Sequence, residues 1–230
     1  MHYAPVMMAF SFREFWRWHF DLVALTALIR PRGGHRLVDY GIALLPETIL
    51  QTDALCYSVG VGEDVDFERR LSGESRARQW LFDPTPRSIR FMDRSEGKIS
   101  RAVFLPFGVW KQDTRMRFHA PRSALHVSHS ITESVGNNDG FDAECRTVRS
   151  LMKELGHESL QLIKLNVEGA EDQIIESMLQ DGIRPDAIIT TWEGRDAFRK
   201  AIRWTHRLHE AGWDFAGRKG WYFTYVRARS

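Results

Sequence analysis

Leu162-Ile163-Lys164-Leu165-Asn166-Val167-Glu168-Gly169-Ala170-Glu171-Asp172 joins two periodicities. A short apolar run rich in branched residues breaks at Glu168-Gly169, and from there Ala170, Ile174, Ile175, Met178 and Leu179 recur at helical spacing. The pattern predicts a buried strand feeding a helix, with carboxylates at the switch. In open α/β sheets ligands sit at the carboxyl ends of strands, so Asn166, Glu168 and Glu171 are candidates for a site. The same acids also suit a helix N-terminus on electrostatic grounds alone, where negative charge gains about 0.3–1 kcal/mol.

Working upstream, Ala54-Leu55-Cys56-Tyr57-Ser58-Val59 is another apolar run, and it ends in Gly60-Val61-Gly62-Glu63-Asp64. Neither glycine carries a Cβ, so the backbone can turn sharply and approach a ligand closely. Gln79-Trp80-Leu81-Phe82 predicts a second strand, stopped by Asp83-Pro84-Thr85-Pro86. An acid ending the second strand, about 20 residues past a glycine turn, is how Rossmann-like folds hydrogen-bond ribose hydroxyls. Asp83 also reads as a turn residue ahead of Pro84. A third strand is expected at Ala102 to Leu105, ending near Pro106-Phe107-Gly108-Val109-Trp110.

The stretch up to Gly156 is polar, with His119, His126 and His129 and the loop Gly136-Asn137-Asn138-Asp139-Gly140. It predicts a short strand at Phe141 to Cys145 and a helix from about Thr147 to Leu155. Downstream, Asp186 to Thr191 reads as a fifth strand ending in Trp192-Glu193-Gly194. A helix from about Arg195 to Glu210 places Phe198, Ile202, Thr205 and Leu208 on one face. Trp213 to Ala216, a turn at Gly217-Arg218-Lys219-Gly220 and Trp221 to Val226 predict a C-terminal β-hairpin.

Before all this, Ser11-Phe12-Arg13-Glu14 has the capping-box pattern, and helical periodicity runs to about Ile29 before Pro31, Gly33 and Gly34. The helix carries Phe12, Phe15, Trp16, Trp18 and Phe20 on more than one side. Plain packing, a lid, a homodimer contact and a membrane-surface patch are the readings open to it. Arg13, Glu14, Arg17 and Asp21 interrupt it, so no apolar run approaches the roughly 20 residues of a spanning helix, and it lacks the flanks of a signal peptide. Residues 1–34 are therefore read as a helical extension and 35–230 as one domain. Among 230 residues, 43% apolar and 27% charged content is that of a globular chain, and a net charge of +2 gives no global pull towards nucleic acid. Cys56 and Cys145 have no ligand-like spacing, which argues against a disulfide framework or a structural metal and for a reducing, cytoplasmic setting.

Strands alternating with helices before a terminal hairpin form the plan of class I S-adenosylmethionine-dependent methyltransferases. Four phrases carry the resemblance further: Tyr57 to Glu68, Phe82 to Pro86, Leu105 to Trp110, and Lys164-Leu165-Asn166-Val167-Glu168-Gly169-Ala170-Glu171. In that order they resemble successive blocks of the FkbM-type methyltransferase family. The resemblance spans about Tyr40 to Val226. It implies an α/β fold, a single Rossmann-like domain with a mostly parallel seven-stranded sheet, helices on both faces and a C-terminal antiparallel hairpin. It implies S-adenosylmethionine as cofactor, held by Ser58, Gly60, Gly62, Asp83, Pro84, Gly108, Val109 and Trp110, with Asp83 accepting both ribose hydroxyls.

The family methylates oxygen, often of a sugar or natural product, so the resemblance points to an O-methyltransferase with a small hydroxylated acceptor; the balanced charge adds no nucleic-acid partner and the cysteine spacing no metal site. Its phrase has aspartate where this chain has Asn166, a neutral amide that can only hydrogen-bond. His129 and His126, which titrate near neutrality, are then the first candidates for a base, with Glu168 and Glu193 behind them. Trp110 and Trp192 are candidates to line an acceptor pocket. Two rivals stand. A nicotinamide-dependent oxidoreductase suits the glycine turn and the acid, but Val65 stands where a third glycine belongs. A non-catalytic binding protein suits Asn166.

Overall fold

The computed structural model describes residues 24–119, 140–167, 169–192 and 196–228. The expected helix before residue 24, His126, His129, Glu168 and Glu193 lie outside them. The described chain begins with a helical turn at 24–28, then β1 (Leu37–Tyr40), β2 (Ala43–Pro46) and α1 (Glu47–Gln51). It continues through β3 (Leu55–Val59), α2 (Asp66–Glu74), β4 (Arg78–Phe82), α3 (Pro86–Asp93), β5 (Ala102–Leu105), β6 (Gly108–Val109), β7 (Thr114–His119) and β8 (Gly140–Arg146). The last elements are α4 (Val148–Glu154), β9 (Leu162–Leu165), α5 (Glu171–Gln180), β10 (Ala187–Thr191), α6 (Ala197–Glu210), β11 (Trp213–Lys219) and β12 (Tyr222–Arg227).

Seven strands form the central sheet in the order β11-β12-β10-β9-β3-β4-β5. β3, β4, β5, β9 and β10 run parallel, while β12 pairs antiparallel with β10 and with β11. This is the expected α/β fold, terminal hairpin included. The chain passes from β3 outward to β4 and β5 and then returns to β9 on the other side of β3. The order therefore reverses between β3 and β9, where a crevice opens beyond the strand ends.

Side-chain alternation sorts the two faces. Tyr57, Ile163 and Ile188 pack under α4, α5 and α6 with Leu151, Ile174, Ile175, Trp204 and Leu208. Cys56, Leu162 and Ile189 pack on the other face with Tyr40, Leu45, Phe67 and Leu71, from the β1–β2 hairpin and α2. All five residues of β3 and of β10 are buried, as a parallel sheet covered on both faces requires. Caps of one kind start two helices: Thr85 accepts from Ser88 N–H at 3.3 Å, and Thr147 accepts from Ser150 N–H at 3.0 Å.

Three features depart from the sequence expectations. The segment expected as a plain connection through Pro46 is the β1–β2 hairpin. Its strands are too short to show a period, and its order comes from the sheet beneath. Thr224 Oγ1 donates to Leu44 O at 2.6 Å, Lys219 Nζ meets Asp39 at 2.6 Å, and a Cβ on Gly217 would come within 3.0 Å of Leu37 and Leu44. Second, the polar stretch after β5 forms a small sheet ordered β6-β8-β7, with Met116 and Phe118 of β7 facing Ala143 and Phe141 of β8. Third, α6 buries Ala201, Trp204 and Leu208, while Phe198, Ile202 and Thr205 are half-buried. The helix is rotated because Trp204 stacks on Trp192, ring centroids 5.8 Å apart.

Candidate functional site

The cleft at the strand-order reversal begins with the turn after β3. Gly60 has φ +79°, and a Cβ on it would fall 1.8 Å from the backbone oxygen of Asn166. Only glycine lets β3 end so close to β9. Asn166 N–H to Val59 O joins the end of β9 to β3, and Gly60 N–H to Phe82 O joins the turn to β4, both at 2.9 Å. Gly62 also has positive φ, +62°, but a Cβ there would meet nothing within 4 Å. Gly60 is thus required by the protein's own packing, and Gly62 leaves space at the cleft.

Asp83 closes the loop from the end of β4. Its carboxylate is 5% exposed, with Oδ2 accepting from Gly62 N–H at 2.9 Å and Oδ1 from the Thr85 N–H and hydroxyl at 2.9 and 2.7 Å. The acid therefore ties the glycine turn to the α3 cap while one side still lines the cleft. Gly108 and Val109 form a neighbouring wall, pressed so tightly on β8 that a Cβ on Gly108 would lie 2.6 Å from Cys145 Sγ. Phe118, Ile42 from the hairpin and Tyr222 from β12 complete the lining. The cleft holds about 280 Å³, and a second pocket of about 660 Å³ adjoins it, sharing Ile42 and Asp64. At the mouth Arg87 pairs with Glu63.

Beneath the turn lies a buried polar cluster. Ser58 and Lys164 are direct partners across β3 and β9, both on the α2 side, and Glu68 of α2 reaches down to them. Ser58 Oγ donates to Glu68 Oε1; Lys164 Nζ donates to the same oxygen at 2.7 Å and lies 3.5 Å from Ser58 Oγ. Glu68 is fully buried and Lys164 3% exposed. Burial works against the ammonium, but the Glu68 carboxylate, joined by Tyr222 and Asp64, holds Lys164 above its ordinary range.

On the far side of Asn166, Glu171 is fully buried and clamps the strand-to-helix turn. It accepts from Val167 N–H at 3.1 Å and Gly169 N–H at 2.9 Å. The Thr191 hydroxyl lies 3.2 Å from both Glu171 Oε1 and Asn166 Oδ1, sharing one proton between them. Burial lifts Glu171 above the usual carboxylate range against the pull of those backbone donors.

Of the residues expected at a cofactor, Gly60, Gly62, Asp83, Pro84, Gly108 and Val109 line one cleft together with Asn166. Ser58 does not; its hydroxyl is spent on Glu68. Trp110 does not either: it is 8% exposed, in the core beside α4, with its backbone N–H on Arg146 O. Trp192, expected near an acceptor, is 1% exposed, donates to Tyr225 Oη at 3.2 Å and stacks on Trp204. No histidine lines the cleft among the described residues. Sequence reasoning missed Lys164, although a lone cation in Leu162-Ile163-Lys164-Leu165 was a signal, since buried lysines are rare unless paired. Ile42, Phe118 and Tyr222 carried none. Among the described residues no His, Cys, Asp or Glu group could hold a metal, and no helix is long and apolar enough to cross a membrane.

No family model matches the chain, and no curated protein matches its sequence. Comparison with solved structures gives matches of low identity and score. A precorrin-6y C5,15-methyltransferase from Geobacter metallireducens GS-15 is 10% identical over 78% of this chain and 85% of that one, with a TM-score of 0.43. The fibrillarin pre-rRNA processing protein of Methanococcus jannaschii is 7% identical over 86% and 84%, with a TM-score of 0.43. The N-methyltransferase NodS of Bradyrhizobium japonicum WM9, solved with S-adenosyl-L-homocysteine, is 11% identical over 97% and 95%, with a TM-score of 0.36. At such identities and scores the likeness carries no information on substrate or chemistry.

Proposed function

We propose that the protein is an S-adenosylmethionine-dependent methyltransferase, of FkbM type, acting on a hydroxyl of a small molecule such as a sugar or natural product. The observation that carries the reading is the pairing, in one cleft at the strand-order reversal, of a glycine turn open to the cleft at Gly62 with the Asp83 carboxylate. The residues present fit the cofactor. Thr85 occupies Oδ1 of Asp83 twice and Gly62 N–H takes one position on Oδ2, so Oδ2 keeps one lone pair for a ribose hydroxyl. Gly62 leaves space for the sulfur side, and Gly108 and Val109 offer a flat apolar wall for a base.

When bound, S-adenosylmethionine supplies an electrophilic methyl on a sulfonium. The chain's part is to align and exclude water, and alignment alone is worth roughly 7–11 kcal/mol. Asn166 lines the cleft with its Oδ1 held by Thr191, so what it offers a ligand is its amide NH₂, a donor to the acceptor's oxygen. The proton leaving that oxygen goes in this reading to His129, His126 or Glu168, a base contributing about 10²–10⁴-fold.

Calorimetry with S-adenosylhomocysteine and with NADH tests the reading. Binding of the former that is lost in Asp83→Ala supports it, and preference for NADH favours the oxidoreductase. Binding of neither sinks both in favour of a non-catalytic protein. Mass analysis of products from hydroxylated candidates then tests the oxygen acceptor, where a gain of one methyl is expected.

A further inference from the structure

The buried pair of Lys164 and Glu68 is not needed for packing. Its neighbours in β9 are Leu162, Ile163 and Leu165, and apolar residues of the same volume usually serve stability as well as a buried ion pair. Several features instead direct the pair at the cleft. Of the three partners only Lys164 lines it; Ser58 and Glu68 do not. An ammonium has three N–H donors. One goes to Glu68 Oε1 at 2.7 Å and another at most weakly to Ser58 Oγ at 3.5 Å, which leaves at least one for a ligand. The other cation of the lining, Arg87, is half-exposed at the mouth and taken by Glu63. Lys164 is thus the floor cation among the described residues. It stands across β3 from Asp83, two residues before Asn166.

We propose that Lys164 binds the carboxylate at the amino-acid end of the cofactor, with Glu68 and Ser58 as positioning residues that hold its ammonium charged and aimed. This rests on the reading of the cleft as an S-adenosylmethionine site. With the ribose end at Asp83, a ligand running across β3 meets at β9 a charged donor shielded from water, where a carboxylate gains a short, strong hydrogen bond. Apart from Lys164 itself and Arg87 at the mouth, the charged residues of the lining, Glu63, Asp64 and Asp83, are acids, so an anion has no rival cation on the floor.

The test compares S-adenosylhomocysteine with 5′-methylthioadenosine, which keeps the adenosine and the sulfur but lacks the amino-acid end, by calorimetry. The wild type is expected to prefer the former by about tenfold or more, as one charge-assisted hydrogen bond implies. In Lys164→Met with Glu68→Gln, which leaves no lone charge in the core, the preference should shrink to within about twofold while 5′-methylthioadenosine binds as before. An unchanged preference overturns the proposal, and so does an equal fall for both ligands, the mark of a purely structural pair. Should the double variant not fold, Glu68→Gln alone decides: without the carboxylate that keeps its ammonium charged and aimed, Lys164 should lose part of the preference while 5′-methylthioadenosine binds as before, and an unchanged or raised preference refutes the proposal. If the wild type binds neither ligand, the failure lies with the cofactor reading and takes the proposal with it.

Discussion

Gly60 and Gly62 are two residues apart, both at positive φ, yet alanine at each should have different consequences. At Gly60 the strain of the left-handed conformation, about 1–2 kcal/mol, is only the beginning. The new Cβ would fall 1.8 Å from a backbone oxygen, that of Asn166, which cannot rotate away. Relief requires the Gly60 turn to move away from β9, which gives up Asn166 N–H to Val59 O between β9 and β3 and pulls Gly60 N–H off Phe82 O of β4. At about 0.5–1.5 kcal/mol for each bond, the loss sums to about 2–5 kcal/mol, a large share of the 5–15 kcal/mol by which domains are typically stable. At Gly62 no neighbour stands in the way, so only the conformational term of about 1–2 kcal/mol applies. The Cβ there enters the cleft, so ligand affinity should suffer instead. Urea unfolding of both variants with unchanged m, alongside S-adenosylhomocysteine calorimetry, measures the contrast. Equal destabilisation, or a Gly62→Ala variant that binds as well as the wild type, refutes the division of labour.

Other expectations follow from the same contacts. Glu171→Gln replaces one acceptor oxygen by an NH₂ facing Val167 or Gly169 N–H, and should destabilise by about 1–3 kcal/mol in urea melts; an unaffected variant would show that Glu171 does not hold the turn. His157 Nδ1 lies in hydrogen-bond contact with Tyr57 Oη at 2.7 Å, and burial, aided by Arg78, lowers its pKa from 6.5. A lowered folded pKa means stability present above pH 6.5 and lost as pH falls through the folded value, so His157→Gln should flatten that part of the stability profile. Trp192→Phe removes a buried donor to Tyr225 and should cost about 1–3 kcal/mol in stability. It should leave S-adenosylhomocysteine affinity and acceptor KM unchanged; a raised KM would return Trp192 to the acceptor site.

Most of the sheet was legible because its evidence is local. Each parallel strand is a short apolar run between punctuating Gly, Pro or Asp, and the lengths between them suit crossover helices. Asp83 and the Gly60-Val61-Gly62 turn stood out because their residue types are unusual at strand ends. Trp192 and Trp110 were misjudged for the opposite reason: an aromatic after a strand reads alike whether it faces a pocket or a core. In both, the core won, through the Trp192–Trp204 stack and the packing of Trp110 beside α4.

The order of apolar runs and breaks was enough to set the α/β class, the strand sequence, the terminal hairpin and the glycine turn, since these depend on periodicity and backbone freedom that each residue carries with it. Which groups share the cleft was not. Ile42, Phe118, Lys164 and Tyr222 come from four separate segments. Ser58, Lys164 and Glu68 form one cluster because strand register puts the first two side by side and α2 lays the third across them. Register and helix rotation arise from packing between distant segments, and it is there that a lysine inside an apolar strand comes to line the cleft beside a buried carboxylate.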